Sequence, residues 1–166
     1  MNTVTQGSNA SRIISEALAV IDARTVVRAS VGSTLGRLDC LKEWDARDEF
    51  YQGTPYCNAP AHLAQGIGLV MQFIQACQNA NILLQVAIAG KAATQRQIAQ
   101  IIAALDGTGV DASALTATLV AVQQQSLMLQ QAYDLQSVLQ QQGHDALNAL
   151  SARMTTGYAG HSGRMH

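Results

Sequence analysis

Between Leu63 and Ile88 the apolar positions advance by alternating four- and three-residue steps, through Leu63, Ile67, Val70, Ile74, Cys77, Asn81, Leu84 and Ile88. That period predicts a long helix with a coiled-coil-like seam packed against other helices. The one polar member is Asn81, and a lone seam amide typically fixes register or oligomeric state at some cost in stability. Leu63, Ile67, Val70, Ile74, Asn81, Leu84 and Ile88 are therefore the first candidate interface. The pattern weakens near Gly90-Lys91 and resumes at Ile98, Ile102 and Leu105. It is stopped by Asp106-Gly-Thr-Gly109, which places the helix over about 61–105.

Both prolines, Pro55 and Pro60, lie just before this helix, and together with the Asp106–Gly109 break they divide the chain into three helical segments. The first is expected over about 11–48, with Ile14, Ala17, Ile21, Val31, Leu35 and Leu38 at helical spacing. Arg24 and Arg28 interrupt that stripe. Gly32 and Gly36 sit one turn apart, and two glycines in a helix interior imply either close approach by a neighbour or a local kink. The third is expected over about 112–154, opened by Asp111 as N-cap. It carries two overlapping seams: Leu115, Leu119, Val122, Leu129 and Tyr133, then Met128, Ala132, Leu135, Leu139, Ala146, Leu150 and Met154. Gly143 is expected to break or kink it near its end. Residues 156–166 read as a glycine-bearing tail, flexible in isolation. The fold class expected is all-α: three long helices in an antiparallel hairpin or bundle, forming a single domain over 1–155.

Composition changes this picture in one respect. Of the 166 residues 48% are apolar and only 13% are charged, about half the usual share, while 19 are Gln. Such helices keep their propensity but lose charged, solvated faces, so their surface is poorly protected against association. From Phe50 to Gly90 there are 41 residues without Asp, Glu, Lys or Arg. The best membrane window there, Leu63 to Ala89, contains seven side-chain amides, which suits a buried bundle helix better than a lipid-facing span. A net charge of -1 gives no steering toward nucleic acid. The first ten residues have neither a basic n-region nor an apolar h-region, so a standard secretory signal is not expected.

The stretch from Arg37 to Cys57 differs from the rest, with 8 of the 21 charges and 4 of the 7 aromatic residues. Trp44, Arg47, Phe50, Tyr51 and Tyr56 make it a candidate partner patch, because Trp, Tyr and Arg are enriched at interface hot spots; packing of Trp44, Phe50 and Tyr51 onto the chain's own bundle is the alternative. Asp45, Asp48 and Glu49 could suggest acid–base work, but no positioned nucleophile or histidine stands near them in sequence. His62, His144, His161 and His166 lack ligand spacing; His62 reads as a first-turn surface residue. Cys40, Cys57 and Cys77 contain no CxxC pair; a disulfide would join Cys40 to Cys57, and free cysteines acting as small hydrophobes are the other reading. Gly66-Ile-Gly68 lacks the strand and lysine of a phosphate loop. No catalytic residue, cofactor or metal is expected.

The segment Ala17-Leu-Ala-Val-Ile-Asp-Ala-Arg-Thr-Val-Val-Arg-Ala-Ser-Val-Gly-Ser-Thr-Leu-Gly-Arg-Leu-Asp39 resembles the C-terminal helix of flagellins, with similar spacing of Ile-Asp, Arg-Ala and a closing Arg-Leu. It covers 23 residues near the opposite end of the chain, without the matching N-terminal half, and no function is carried over from it. The function expected from the residues is a non-enzymatic structural subunit of a large assembly, homo-oligomeric within it. A bacteriophage virion component of the internal, ejection or portal-associated kind is favoured, made in the host cytoplasm and located in the virion. The alternatives are a helical component of a bacterial secretion filament or tip, and a membrane-active protein inserting on oligomerisation. Other protein subunits are the expected partners, with no specific nucleic acid and membrane contact secondary.

Overall fold

The computed structural model describes residues 23–162, and over these the chain is all-α. Helix α1 spans Ala23–Tyr51, a short 3-10 helix Pro55–Asn58, α2 Pro60–Leu105 and α3 Ser113–Ser162; there is no strand among the described residues. The expected helical stretch 11–22, with Ile14, Ala17 and Ile21, lies outside the described residues, as do the first ten residues and the last four, ending in His166.

The turn chemistry explains the boundaries. After α1 the chain reverses at Gly53, whose φ of 78° is open to glycine at no steric cost. Thr54 Oγ1 donates to the Tyr51 carbonyl at 2.6 Å, and Pro55 and Pro60 open the next two helices, where a missing N–H costs nothing. Between α2 and α3, Gly107 and Gly109 both take φ of 76°. The Ser113 N–H then donates to Asp111 Oδ1 at 3.0 Å, so the aspartate serves the helix start as its sequence position suggests.

Three local expectations are corrected. Gly143 does not break α3, which continues to Ser162 and takes in the first residues of the supposed tail. A Cβ on Gly143 would lie 2.8 Å from Ile74 Cγ1 and 3.2 Å from the Phe73 ring, so this glycine marks a close helix–helix approach. Gly32 and Gly36 show the reverse: nothing comes within 4 Å of either, and α1 runs through both. The inward face of α1 is also not the one read from its apolar residues. Leu35 is half exposed, whereas Ser30, Thr34 and Trp44 are buried. Thr34 faces inward because polar partners are at hand, its Oγ1 donating to the Ser30 carbonyl and lying 3.1 Å from Gln136 Oε1, whereas the Ser30 hydroxyl is buried with no hydrogen-bond partner.

Packing divides into two compact units, to which each long helix contributes. The first contains 82–134 with the described start of α1. Its interior is Ala23, Leu84, Ala87, Leu129 and Ala132, followed along α2 and α3 by Ile98, Leu115 and Val122. The second contains 30–81 and 135–162, with Trp44, Leu63, Val70, Ile74 and Leu150 at its centre. There α2 runs antiparallel to both neighbours: Trp44 meets Gly66 and Arg37 meets Gln72, while Ile74 meets Gly143 and Asn81 meets Gln140. Burial of these apolar side chains stabilises each unit by about 25 cal/mol per Å² removed from water.

Candidate functional site: an ion-paired clasp

Within the second unit, the end of α1, the 3-10 turn, the start of α2 and the last turns of α3 meet at Asp48. Arg153, on α3, grips the Asp48 carboxylate with two parallel hydrogen bonds, Nη1 to Oδ2 at 2.9 Å and Nη2 to Oδ1 at 2.8 Å. This fork geometry is the strong form of an ion pair. Arg153 Nη2 also donates to the Cys57 carbonyl at 2.9 Å and lies 3.4 Å from its Sγ, which ties α3 to the turn. From α2, His62 Nε2 stands 2.8 Å from Asp48 Oδ1, so the proton on that nitrogen points at the carboxylate.

The His62 ring is held on two sides. Trp44 stacks on it at 4.5 Å between centroids and 14° between planes, and Tyr51 meets it edge-on at 5.2 Å. Trp44 Nε1 donates to the His62 carbonyl at 3.0 Å, which satisfies the indole N–H in a side chain only 2% exposed. Gly66 makes room for the indole: a Cβ there would sit 2.6 Å from two of its atoms.

The electrostatics follow from this geometry. The hydrogen bonds from Arg153 hold the Asp48 carboxyl below its ordinary range; burial opposes them and the His62 hydrogen bond adds to them. Arg153 is shifted up in return, chiefly by its bonds to Asp48. Asp45 moves the other way, pushed up by burial and then by the charge of Asp48. Chemically the arrangement is a tether. The guanidinium and Nε2 of the imidazole both engage the one carboxylate, across three helices.

The clasp redistributes the residues expected to form a partner patch. Trp44 and Tyr51 turn inward onto His62, and Arg47, Phe50 and Tyr56 remain outside, with Phe50 80% and Tyr56 65% exposed. Phe50, Tyr51 and Tyr56 form a chain of ring contacts at 5.9 and 6.0 Å. The seam Leu63, Ile67, Val70, Ile74, Asn81, Leu84 and Ile88 is interior. Leu63, Val70, Ile74 and Leu84 are buried, Ile67 and Ile88 pack against the cores, and Asn81 Nδ2 donates to Gln140 Oε1 at 3.2 Å. Cys40, Cys57 and Cys77 are all free, so Cys40 and Cys57 form no disulfide. Burial raises the Cys77 thiol above its usual range, against a smaller opposing hydrogen bond with Thr34. His62 is a clasp residue, not the surface residue expected. It and Arg153 are the members that sequence reasoning missed, because their partner Asp48 lies 14 and 105 positions away in the chain.

No group of three or more His, Cys, Asp or Glu side chains that could hold a metal occurs among the described residues. No protein-family model, curated protein or solved structure matches the chain.

Proposed function

We propose that this chain is a non-catalytic structural subunit of a larger protein assembly. The observation that carries the reading is how much apolar side chain the packed helices leave outside. In the first unit Ile82, Leu83, Val86, Val120 and Leu127 are exposed, and in the second Leu35, Met71, Leu135 and Val138. Single exposed apolar residues are ordinary on a soluble protein. On α2 and α3 they recur among outward residues that are mostly Ala and Gln, with few charges to keep copies apart.

A bacteriophage virion component of the internal, ejection or portal-associated kind is the assembly we favour, supported by long Ala- and Gln-rich helices with little charge. A subunit of a secretion filament or tip has the same helical character, and the genes beside this one would separate the two: morphogenesis genes for the first, export genes for the second. The test of the assembly reading is mass by light scattering over a wide concentration range. A species larger than one chain is expected; a monomer at every concentration would remove the reading. One observation favours a second reading, membrane insertion. By length and composition α2 could cross a membrane, and only 39% of the relevant window is buried. Flotation with liposomes tests it, and protein left entirely at the bottom of the gradient rules it out.

A further inference from the structure

We propose that the outward line of α1 through Arg28, Gly32, Leu35 and Asp39 docks antiparallel on the same line of a second copy of this chain. The proposal rests on the assembly reading and names its contact surface. These four residues follow one another at four-, three- and four-residue steps, a single seam along one continuous helix. All four are exposed, on the side away from the buried Ala23, Ser30, Thr34 and Trp44. The Arg28 and Asp39 side chains make no hydrogen bond or ion pair among the described residues.

The order of charges selects the occupant. Bases stand at one end of the line, Arg24 and Arg28, and acids at the other, Asp39 and Glu43. Reversed by a two-fold axis, that order meets its own complement. Arg28 and Asp39 have the same midpoint as Gly32 and Leu35, between Ser33 and Thr34. One register therefore sets Arg28 against Asp39 of the copy and Leu35 against Gly32 of the copy, each pair occurring twice. In it Arg24 comes level with Glu43, and Lys42 with Thr25, so no like charges come level along the line. Nothing lies within 4 Å of the place where a Cβ on Gly32 would stand. The chain itself makes no use of that notch, and the Leu35 side chain of a copy can enter it. Alone, the helix carries two like-charged pairs four residues apart, Arg24 with Arg28 and Asp39 with Glu43, each unfavourable. The facing copy offsets both. An uncharged partner or lipid would leave them uncompensated, and a partner of one charge sign would repel one end of the line.

The test uses the full chain and follows mass by sedimentation over a range of concentrations, with circular dichroism to verify helix content. The substituted positions point outward, so the variants fold. Wild type is expected to self-associate. Arg28→Glu and Asp39→Lys each set like charges together twice per interface, and roughly tenfold weaker association is expected for each. The double variant carrying both substitutions exchanges the two charges and is expected to recover the wild-type association, because a line that meets itself reversed brings the two together. Gly32→Leu fills the notch; association should weaken to a similar degree while the helix, relieved of a glycine, unfolds no more readily. Gly32→Leu associating as tightly as wild type would overturn the register and the proposal with it. Single charge variants that keep the wild-type association show that this line is not the contact, although the assembly reading stands. A double variant as weak as the singles means that Arg28 and Asp39 each meet some other surface, which overturns self-docking. Wild type monomeric at all concentrations removes the assembly reading and this inference with it.

Discussion

The two units solve the same packing problem with different chemistry. Where α2 turns back into α3, the first unit is held by Ile98, Leu115 and Val122, with Ile101, Ile102, Leu105 and Leu119 around them. These contacts are non-directional and tolerate small shifts. Where α1 turns back into α2, the second unit adds the Asp48–Arg153 fork, the His62 contact and the Trp44 indole bond. Each fixes angles as well as distances. In helices made so largely of Ala, Leu and Gln, apolar faces alone discriminate poorly between neighbouring registers. A directional clasp removes that ambiguity at one end, and 8 of the chain's 21 charges lie within the stretch that supplies Asp48.

The sharpest way to break this comparison is to truncate one side chain in each region. Trp44→Ala removes a nearly completely buried indole, its stack on His62 and its hydrogen bond, and is expected to destabilise by about 3–5 kcal/mol. Ile98→Ala, equally buried, should cost about 2–4 kcal/mol because only apolar contact is lost. Urea titration followed by circular dichroism measures both. An Ile98→Ala loss larger than that of Trp44→Ala would mean the clasp is peripheral.

Acidification separates the regions next. The folded-state Asp48 carboxyl is depressed below its unfolded value of about 3.9, so its stabilising contribution is fully present above that pH. It is lost as pH falls through the depressed folded value. Asp48→Asn breaks the pair with Arg153. A fully buried pair broken this way costs about 3–5 kcal/mol; with the Arg153 side chain 31% exposed, we expect about 1–3 kcal/mol at neutral pH. Unfolding titrations at neutral and strongly acidic pH should show the gap to wild type closing in acid. The Ile98→Ala gap should stay constant. A gap for Asp48→Asn that is the same at both pH values would show that the ion pair contributes nothing titratable.

Legibility in the sequence divides along the same line. The element count and the turns were readable, because Pro55, Pro60, Gly107 and Asp111 act through local backbone chemistry. The α2 seam was readable too, since heptad spacing is a property of one helix. What it packs against was not: the seam looks the same whether its partner is another chain or, as here, α1 and α3 of its own. The inward face of α1 was misread because Ser30 and Thr34 look like surface residues until Gln136, 102 positions from Thr34, arrives to meet the threonine hydroxyl. Asp48 and Arg153 lie 105 positions apart, a pairing with no local trace. Gly143 had a signal, but a glycine in a helix reads equally as a kink or as room for a neighbour. Only the position of Phe73 and Ile74 decides.

The smallest effect expected is the one that sharpens the distinction between inner seam and outer face. Asn81 donates to Gln140, but its Oδ1 is buried with no hydrogen-bond partner. Asn81→Leu removes that unpaired acceptor, which is worth about 1–3 kcal/mol, and gives up one amide bond worth about 1 kcal/mol. Gln140 is partly exposed and can turn to water, so the net change should be a gain of about 0–2 kcal/mol. Because Asn81 contacts α3 of its own chain, the oligomeric mass should not move. An altered mass for Asn81→Leu would mean that the Leu63–Ile88 seam is shared between chains after all.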